Sequence, residues 1–391
     1  MRKEQLDIRD RRRHVRFFNF FRPIMARIFG HKFNYTYDDL SDIEGPYLLL
    51  ANHNTNYDPI LVGIAAHRQL YFVASEHIMQ KGFVSKLLDY FLHPIIHLKG
   101  KAGVNTISDM LRSLKSGYSV AIFPEGNRSF NGLTCDFLPT IGRLARKSGA
   151  KLVTFRFEGG YFTQPRWSFT LRKGQLRGHL VRVYDVDELK GMTDDEVNAS
   201  IVRDLSEDAY AVQSRERIPF RGRKLAYGLE TTLFACPKCQ KIGTLHSTDS
   251  HLKCSCGYDA EYDVYGDLVG SDGTQTVTTI DAQQRSLLAE LVSSAGPSDL
   301  LFEDTVTAIQ KGEKHRASQT VTGCLRAFRD RVEFNGHVLY PANLIGMAIH
   351  SRNTIVAHLA PDGTQYEVKG CSTTFCALKY LYLYELATQE T

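Results

Sequence analysis

The residues best equipped for chemistry stand at 52–59, Asn-His-Asn-Thr-Asn-Tyr-Asp-Pro, where a histidine precedes an aspartate by five positions. On a regular helix at about 100° per residue, five steps would leave His53 and Asp58 about 140° apart and out of contact. If Asp58 instead marks a helix N-terminus, Pro59 takes the first helical position, where its missing N–H costs nothing. His53 then lies in the preceding loop and can fold back onto the carboxylate. Such a carboxylate holds the imidazole in one tautomer and stabilises the imidazolium formed when it takes a proton from a hydroxyl. Taken alone, the same spacing also suits a plain N-cap before proline and a solvated histidine.

A second constellation follows at 120–129, Val-Ala-Ile-Phe-Pro-Glu-Gly-Asn-Arg-Ser, a strand-like run entering a turn. Gly126 lets backbone approach a ligand closely, Arg128 offers a fork of donors suited to phosphate, and Glu125 can accept hydrogen bonds from a polyol. By itself this too is ordinary punctuation after a strand.

In combination, NHxxxxD followed about seventy residues later by FPEGxRS resembles the glycerolipid acyltransferase family, typified by lysophosphatidic acid acyltransferases, over roughly residues 35–215. The resemblance implies that His53 deprotonates the acceptor hydroxyl, that Asp58 orients it, and that Glu125, Gly126 and Arg128 bind the glycerol-phosphate. The family's intervening basic block, commonly arginine, is answered at 95–101 by Lys99 or Lys101. Lysine is a point charge rather than a planar fork, so the acceptor headgroup stays open. The family's last block is matched approximately by 153–160, Val-Thr-Phe-Arg-Phe-Glu-Gly-Gly, and by Pro165.

The reaction so implied carries a fatty acyl group from acyl-CoA or acyl-ACP to a hydroxyl of lysophosphatidate or a related glycerol-phosphate lipid. This would be a 1-acylglycerol-3-phosphate O-acyltransferase-like step of phospholipid biosynthesis. A thioester is already activated, so the enzyme need only position the hydroxyl, remove its proton and stabilise the oxyanion; no catalytic cofactor is called for. There is no G-x-S-x-G nucleophile elbow, which favours direct transfer without an acyl-enzyme. Two other readings stand beside this one: a different hydroxylated lipid as acceptor, or a non-catalytic adaptor binding lipid or nucleic acid on the same scaffold. The joint presence of His53 and Asp58 argues against the adaptor, which needs no oriented base.

The elements that must position these residues follow from apolar patterning. Short apolar runs at Tyr47–Ala51, 70–74, 120–123 and 152–157 predict buried strands, and 107–115 and Ile141–Lys147 have helical spacing. A helix is expected over 193–213, opened by the capping box of Thr193 and Glu196. The fold class is therefore α/β, a sheet flanked by helices. Beyond residue 299 short β-prone segments recur, with turn signals at Asn335-Gly336 and Asp362-Gly363 and a helix-like end over 375–387. A small β-barrel-like domain, loosely like a pleckstrin-homology module, fits that pattern.

Between these regions Cys236, Cys239, Cys254 and Cys256 form a CxxC and a CxC, the pattern of a structural zinc ribbon held by four thiolates. His246 and His251 lie between the pairs and are alternatives as ligands. The expected organisation is a basic amphipathic segment at 1–34, an acyltransferase domain at 35–225, a ribbon at 226–270, a linker at 271–298 and the β-rich domain at 299–391.

The net charge of +5 is mild, yet Arg2, Lys3, Arg9, Arg11, Arg12, Arg13, Arg16, Arg22 and Arg27 crowd the N-terminus, interleaved with Phe17, Phe18, Phe20, Phe21, Ile24, Met25, Ile28 and Phe29. Apolar bulk beside arginine fits a helix lying on an anionic membrane surface and speaks against nucleic acid; an amphipathic helix packed on its own core has the same pattern. The apolar stretch 83–98 carries the same two readings. Apolar runs fall short of the roughly 20 residues of a spanning helix, and no signal-peptide pattern opens the chain. The expected location is peripheral, on the cytoplasmic face of the membrane.

Overall fold

The computed structural model describes residues 8–75, 90–97, 104–311, 317–359 and 364–389. The chain divides into two compact units, one of residues 1–165 with 172–220, the other of residues 166–171 with 221–391.

The first unit is an α/β layer structure. Its sheet contains β1 (Tyr35–Tyr37), β2 (Tyr47–Ala51), β3 (Tyr71–Ser75), β4 (Ile95–His97), β5 (Val120–Ile122), β6 (Lys151–Glu158) and β7 (Leu176–Tyr184), in spatial order β1-β7-β6-β2-β5-β3-β4. All neighbours are parallel except the antiparallel pair β6–β7. The central strand β2, Tyr-Leu-Leu-Leu-Ala, is buried throughout, as expected of a parallel strand covered on both faces. On one face Leu48, Leu50, Val120 and Leu152 pack with Ile141, Leu144, Val197 and Ile201. Those helical residues come from α4 (Ile141–Lys147) and α6 (Asp194–Leu205). Gly142 lets these two helices touch, since a Cβ there would lie 2.3 Å from the Asp194 carbonyl oxygen.

Further described helices of this unit include α1 (Ile8–Phe33), α2 (Asp58–Ala66), α3 (Val104–Lys115), α5 (Val186–Gly191) and α7 (Ala209–Glu216), with a single helical turn at Gly160–Thr163 after β6. The Thr193/Glu196 capping box is present. The single helix expected over 193–213 is instead two, because Ser206 and Asp208 leave helical conformation and the Asp208 side chain caps a new helix on Ala211 N–H. Side-chain oxygens that compete for backbone N–H groups favour such breaks.

In α1, Phe29 and Phe33 are buried and Phe17 stacks on Phe91 at 4.0 Å, so part of the helix packs on its own unit. Phe20, Phe21, Ile24 and Ile28 remain exposed. Of the 83–98 stretch, residues 83–89 and 98 lie outside the described residues, and 95–97 is the strand β4. No described helix is long and apolar enough to cross a membrane.

The second unit opens with a five-stranded antiparallel meander, β8 (Leu245–Ser247), β9 (His251–Cys254), β10 (Asp259–Tyr262), β11 (Asp267–Gly270) and β12 (Gly273–Thr276). The expected linker 271–298 is instead largely ordered structure: β12 runs into the 18-residue helix α8 (Val277–Ser294). A Thr276/Thr279 capping box opens it, and buried Asp281 and Gln284 bond Tyr382 and the Phe234 N–H. The turn-rich residues that suggested a linker only close its C-terminus.

A seven-stranded antiparallel sheet follows, made of β13 (Phe302–Lys311), β14 (Ala317–Ala327), β15 (Val332–Phe334), β16 (His337–Leu339), β17 (Leu344–His350), β18 (Thr354–Leu359) and β19 (Gln365–Gly370). It curls, because Leu325 and Leu339 near one edge and Leu344 and Met347 at the other line one cavity with Tyr380 and Leu383 of α9 (Ala377–Gln389). Asn335 and Gly336 form the expected hairpin turn, both with positive φ; Asp362-Gly363 lies outside the described residues.

Candidate active site and metal centre

The imidazole sits where β2 ends. Asp58 is the first residue of α2, followed by Pro59, and its carboxylate reaches back toward the loop instead of capping its own helix. Asp58 Oδ2 accepts from His53 Nδ1 at 2.8 Å and from the backbone N–H groups of Asn54 and Thr55 at 2.7 and 2.9 Å. Oδ1 accepts from the Thr55 hydroxyl at 2.5 Å. The Asp58 side chain is fully buried, whereas that of His53 is 23% exposed. The carboxylate is thus held within the protein while the imidazole reaches solvent. An oxygen already accepting two N–H bonds fixes the proton on Nδ1 and leaves the lone pair on Nε2. Phe123 stacks on the ring at 4.6 Å.

Glu125 is bonded to backbone on both oxygens. It is buried, Oε1 accepting from His53 N–H at 2.6 Å and Oε2 from Cys135 N–H at 2.7 Å. Through these bonds it shapes the loop that presents His53. Burial pushes its pKa well above the ordinary carboxylate range, against the two N–H bonds that lower it. Ser129 N–H donates to the His53 carbonyl at 3.2 Å, which joins the two motifs.

Gly126 has φ +66° and open space where a Cβ would stand, as backbone meeting a ligand requires. Arg128 is half-buried, with Nη1 3.4 Å from both the backbone and side-chain oxygens of Gln164. The same Gln164 Oε1 accepts from Asn56 N–H at 2.9 Å, so the guanidinium and the histidine loop share a partner. Lys99 and Lys101 lie outside the described residues.

Three contributors escaped the sequence reading. Asn52 bonds the backbone of Phe157 in both directions, Nδ2 donating at 2.9 Å and Oδ1 accepting at 2.7 Å, which ties β2 to β6. Glu207, in the break between α6 and α7, accepts from Asn52 Nδ2 at 3.1 Å and Asn54 Nδ2 at 2.5 Å. Burial pushes its pKa up to about 8. Gly160 lies against the loop, where an added Cβ would stand 2.8 Å from Asn54 Cβ. Asn52, which opens the NHxxxxD motif, and the glycine pair at 159–160, in the fourth family block, had a signal in sequence; Glu207 had none.

In the second unit the four clustered cysteines do converge. Their Sγ atoms all lie within 4.8 Å of one another, with Cys236–Cys256 at 3.7 Å and Cys239–Cys254 at 3.9 Å. Tetrahedral zinc with bonds of about 2.3 Å separates its sulfurs by about 3.8 Å, so the set fits a metal ion. His246 and His251 are outside the cluster, His251 Nδ1 being bonded to Asp259 at 2.7 Å.

No curated protein matches the chain. Among solved structures, the 1-acyl-sn-glycerophosphate (LPA) acyltransferase PlsC from Thermotoga maritima is similar at a TM-score of 0.41 and 20% identity, over 48% of this chain and 77% of that one. A family model described as Acyltransferase matches residues 32–158, the span that carries His53, Asp58, Glu125, Gly126 and Arg128. Residues 32–158 thus match an Acyltransferase domain, within which the His53–Asp58 pair and the Glu125 loop are joined by hydrogen bonds.

Proposed function

We propose that the protein transfers a fatty acyl group from acyl-CoA or acyl-ACP to a free hydroxyl of lysophosphatidate or a closely related glycerol-phosphate lipid. The observation that carries this reading is the 2.8 Å bond between His53 Nδ1 and a buried Asp58. His53 Nε2 takes the acceptor's hydroxyl proton as its oxygen attacks the thioester carbonyl carbon. The tetrahedral intermediate then collapses, the C–S bond breaks, and the thiolate takes the proton back from the imidazolium. Asp58 stabilises that imidazolium between the two steps. Arg128 supplies the charge for the acceptor's phosphate, with Lys99 and Lys101 as further candidates and Gly126 giving the headgroup access to backbone.

The acceptor and donor are membrane-derived or amphipathic, and α1 suits such a surface. Arg12, Arg16, Phe20, Ile24 and Ile28 recur every four residues along it, the arginines exposed and Phe20 exposed to 66%. That stripe supports a peripheral position on an anionic, cytoplasmic membrane face. The four-cysteine cluster supports a structural rather than catalytic zinc, since a closed thiolate set offers no open coordination position.

The test is transfer of labelled acyl groups from acyl-CoA and acyl-ACP to lysophosphatidate, glycerol 3-phosphate and phosphate-free monoacylglycerol. Transfer to the phosphorylated acceptors alone is expected; equal use of monoacylglycerol would remove Arg128 from headgroup binding, and no transfer to any acceptor would defeat the reading.

A further inference from the structure

Resting on the acyl-transfer reading, we infer that Glu207 is a positioning residue for His53, acting through the asparagines on either side of it. The catalytic histidine stands on a loop, and a loop holds a side chain to sub-ångström precision only when its backbone is pinned. Three pins are visible. Glu125 Oε1 takes the His53 N–H, Ser129 N–H takes its carbonyl, and a single oxygen of Glu207, Oε2, takes the side-chain N–H groups of Asn52 and Asn54. Asn54 N–H in turn donates to the same Asp58 oxygen that holds the imidazole. Glu207 is therefore two hydrogen bonds from the dyad.

The residue is itself fixed. Its Oε1 accepts from Gly159 N–H at 3.3 Å, its backbone N–H donates to the Thr134 hydroxyl at 2.7 Å, and its carbonyl accepts from Thr134 N–H at 3.1 Å. Those bonds exist because the chain breaks between α6 and α7, which turns residue 207 inward to 7% exposure. Glu207 also lies outside the span of the matched family domain. An acceptor oxygen, not a charge, is what both asparagines require, and glutamine keeps that oxygen while giving up only the 3.3 Å bond from Gly159 N–H.

Three variants and two readouts test this. Glu207→Ala is expected to lower kcat on the order of 100-fold, the scale of a misplaced reacting group, with KM within about twofold. Glu207→Gln, which keeps an oxygen for the asparagines, should hold kcat within about tenfold. Asn54→Ala, which removes the partner from the other end, should reproduce the alanine loss.

The second readout needs no substrate: the proton NMR resonance of the His53 Nδ1–H bonded to Asp58 is expected in the wild type and in Glu207→Gln, and broadened or shifted in Glu207→Ala and Asn54→Ala. Unchanged kcat or an unmoved resonance in a folded Asn54→Ala or Glu207→Ala would overturn the proposal, as would equal loss in the alanine and glutamine variants of Glu207. A wild type inactive on all acceptors would instead defeat the acyl-transfer reading, and the resonance would still decide the role of Glu207.

Discussion

Asp58 takes the His53 ring and two backbone N–H groups on one oxygen, so the residue that orients the imidazole also folds the loop presenting it. Loop and ring are consequently a single hydrogen-bonded unit. The buried carboxylates beside this unit have consequences for stability. Glu207 is raised to about 8 by burial, among Glu158, which raises it further, and Arg156, which lowers it; Glu125 is raised as well. A carboxyl whose folded pKa exceeds its unfolded value near 4.5 binds its proton more tightly when folded. Its contribution is complete below the unfolded value and is lost as pH rises through the folded one. The melting temperature of the wild type should therefore fall between pH 5 and pH 8, and in Glu207→Gln it should fall less; a steeper decline in the variant would contradict the assignment.

At the scale of elements, the site depends on how closely the start of the turn after β6 approaches the histidine loop. Gly160→Ala would set a Cβ 2.8 Å from Asn54 Cβ, closer than real Cβ contacts allow, so the loop must move. A loss of kcat near 100-fold is expected, the cost of a displacement on the order of 1 Å, and wild-type kcat in a folded variant would show that the loop yields without consequence.

The strands were legible because β2 and β5 are continuous apolar runs and β6 keeps Leu152, Val153, Phe155 and Phe157 apolar, and the dyad was legible only through the joint occurrence of NHxxxxD and FPEGxRS. Glu207 was not legible, because periodicity continues through 206–208 and only the side-chain capping by Asp208 breaks it. The backbone bonds of Glu125 were not legible, because a carboxylate after a strand says nothing about which N–H groups will reach it. The α8 helix was hidden for a related reason: its Val-Thr-Thr start is weakly helical, and buried contacts of Asp281 and Gln284 override that preference. For α1, replacing exposed Arg12 and Arg16 by alanine should weaken partition onto anionic vesicles roughly 30-fold at about 1 kcal/mol each. Partition unchanged by these substitutions would assign the helix to packing alone.

For the whole molecule, a unit carrying the His53–Asp58 pair and a unit carrying the four cysteines share one chain, and they should fail separately. One zinc per chain is expected by elemental analysis. Removing it with a chelator should melt the unit that contains Cys236–Cys256, since small metal modules fold with their ion; a metal-free protein of unchanged melting profile would leave the cysteines as plain thiols. The central claim concerns the other unit, that His53 oriented by Asp58 removes the acceptor's proton. Its most direct measurement is the rate of labelled acyl transfer to lysophosphatidate by His53→Ala, with melting temperature recorded alongside. A fall of about 10²- to 10⁴-fold, the usual worth of a general base, in a protein that still folds is predicted; turnover at the wild-type rate would contradict it.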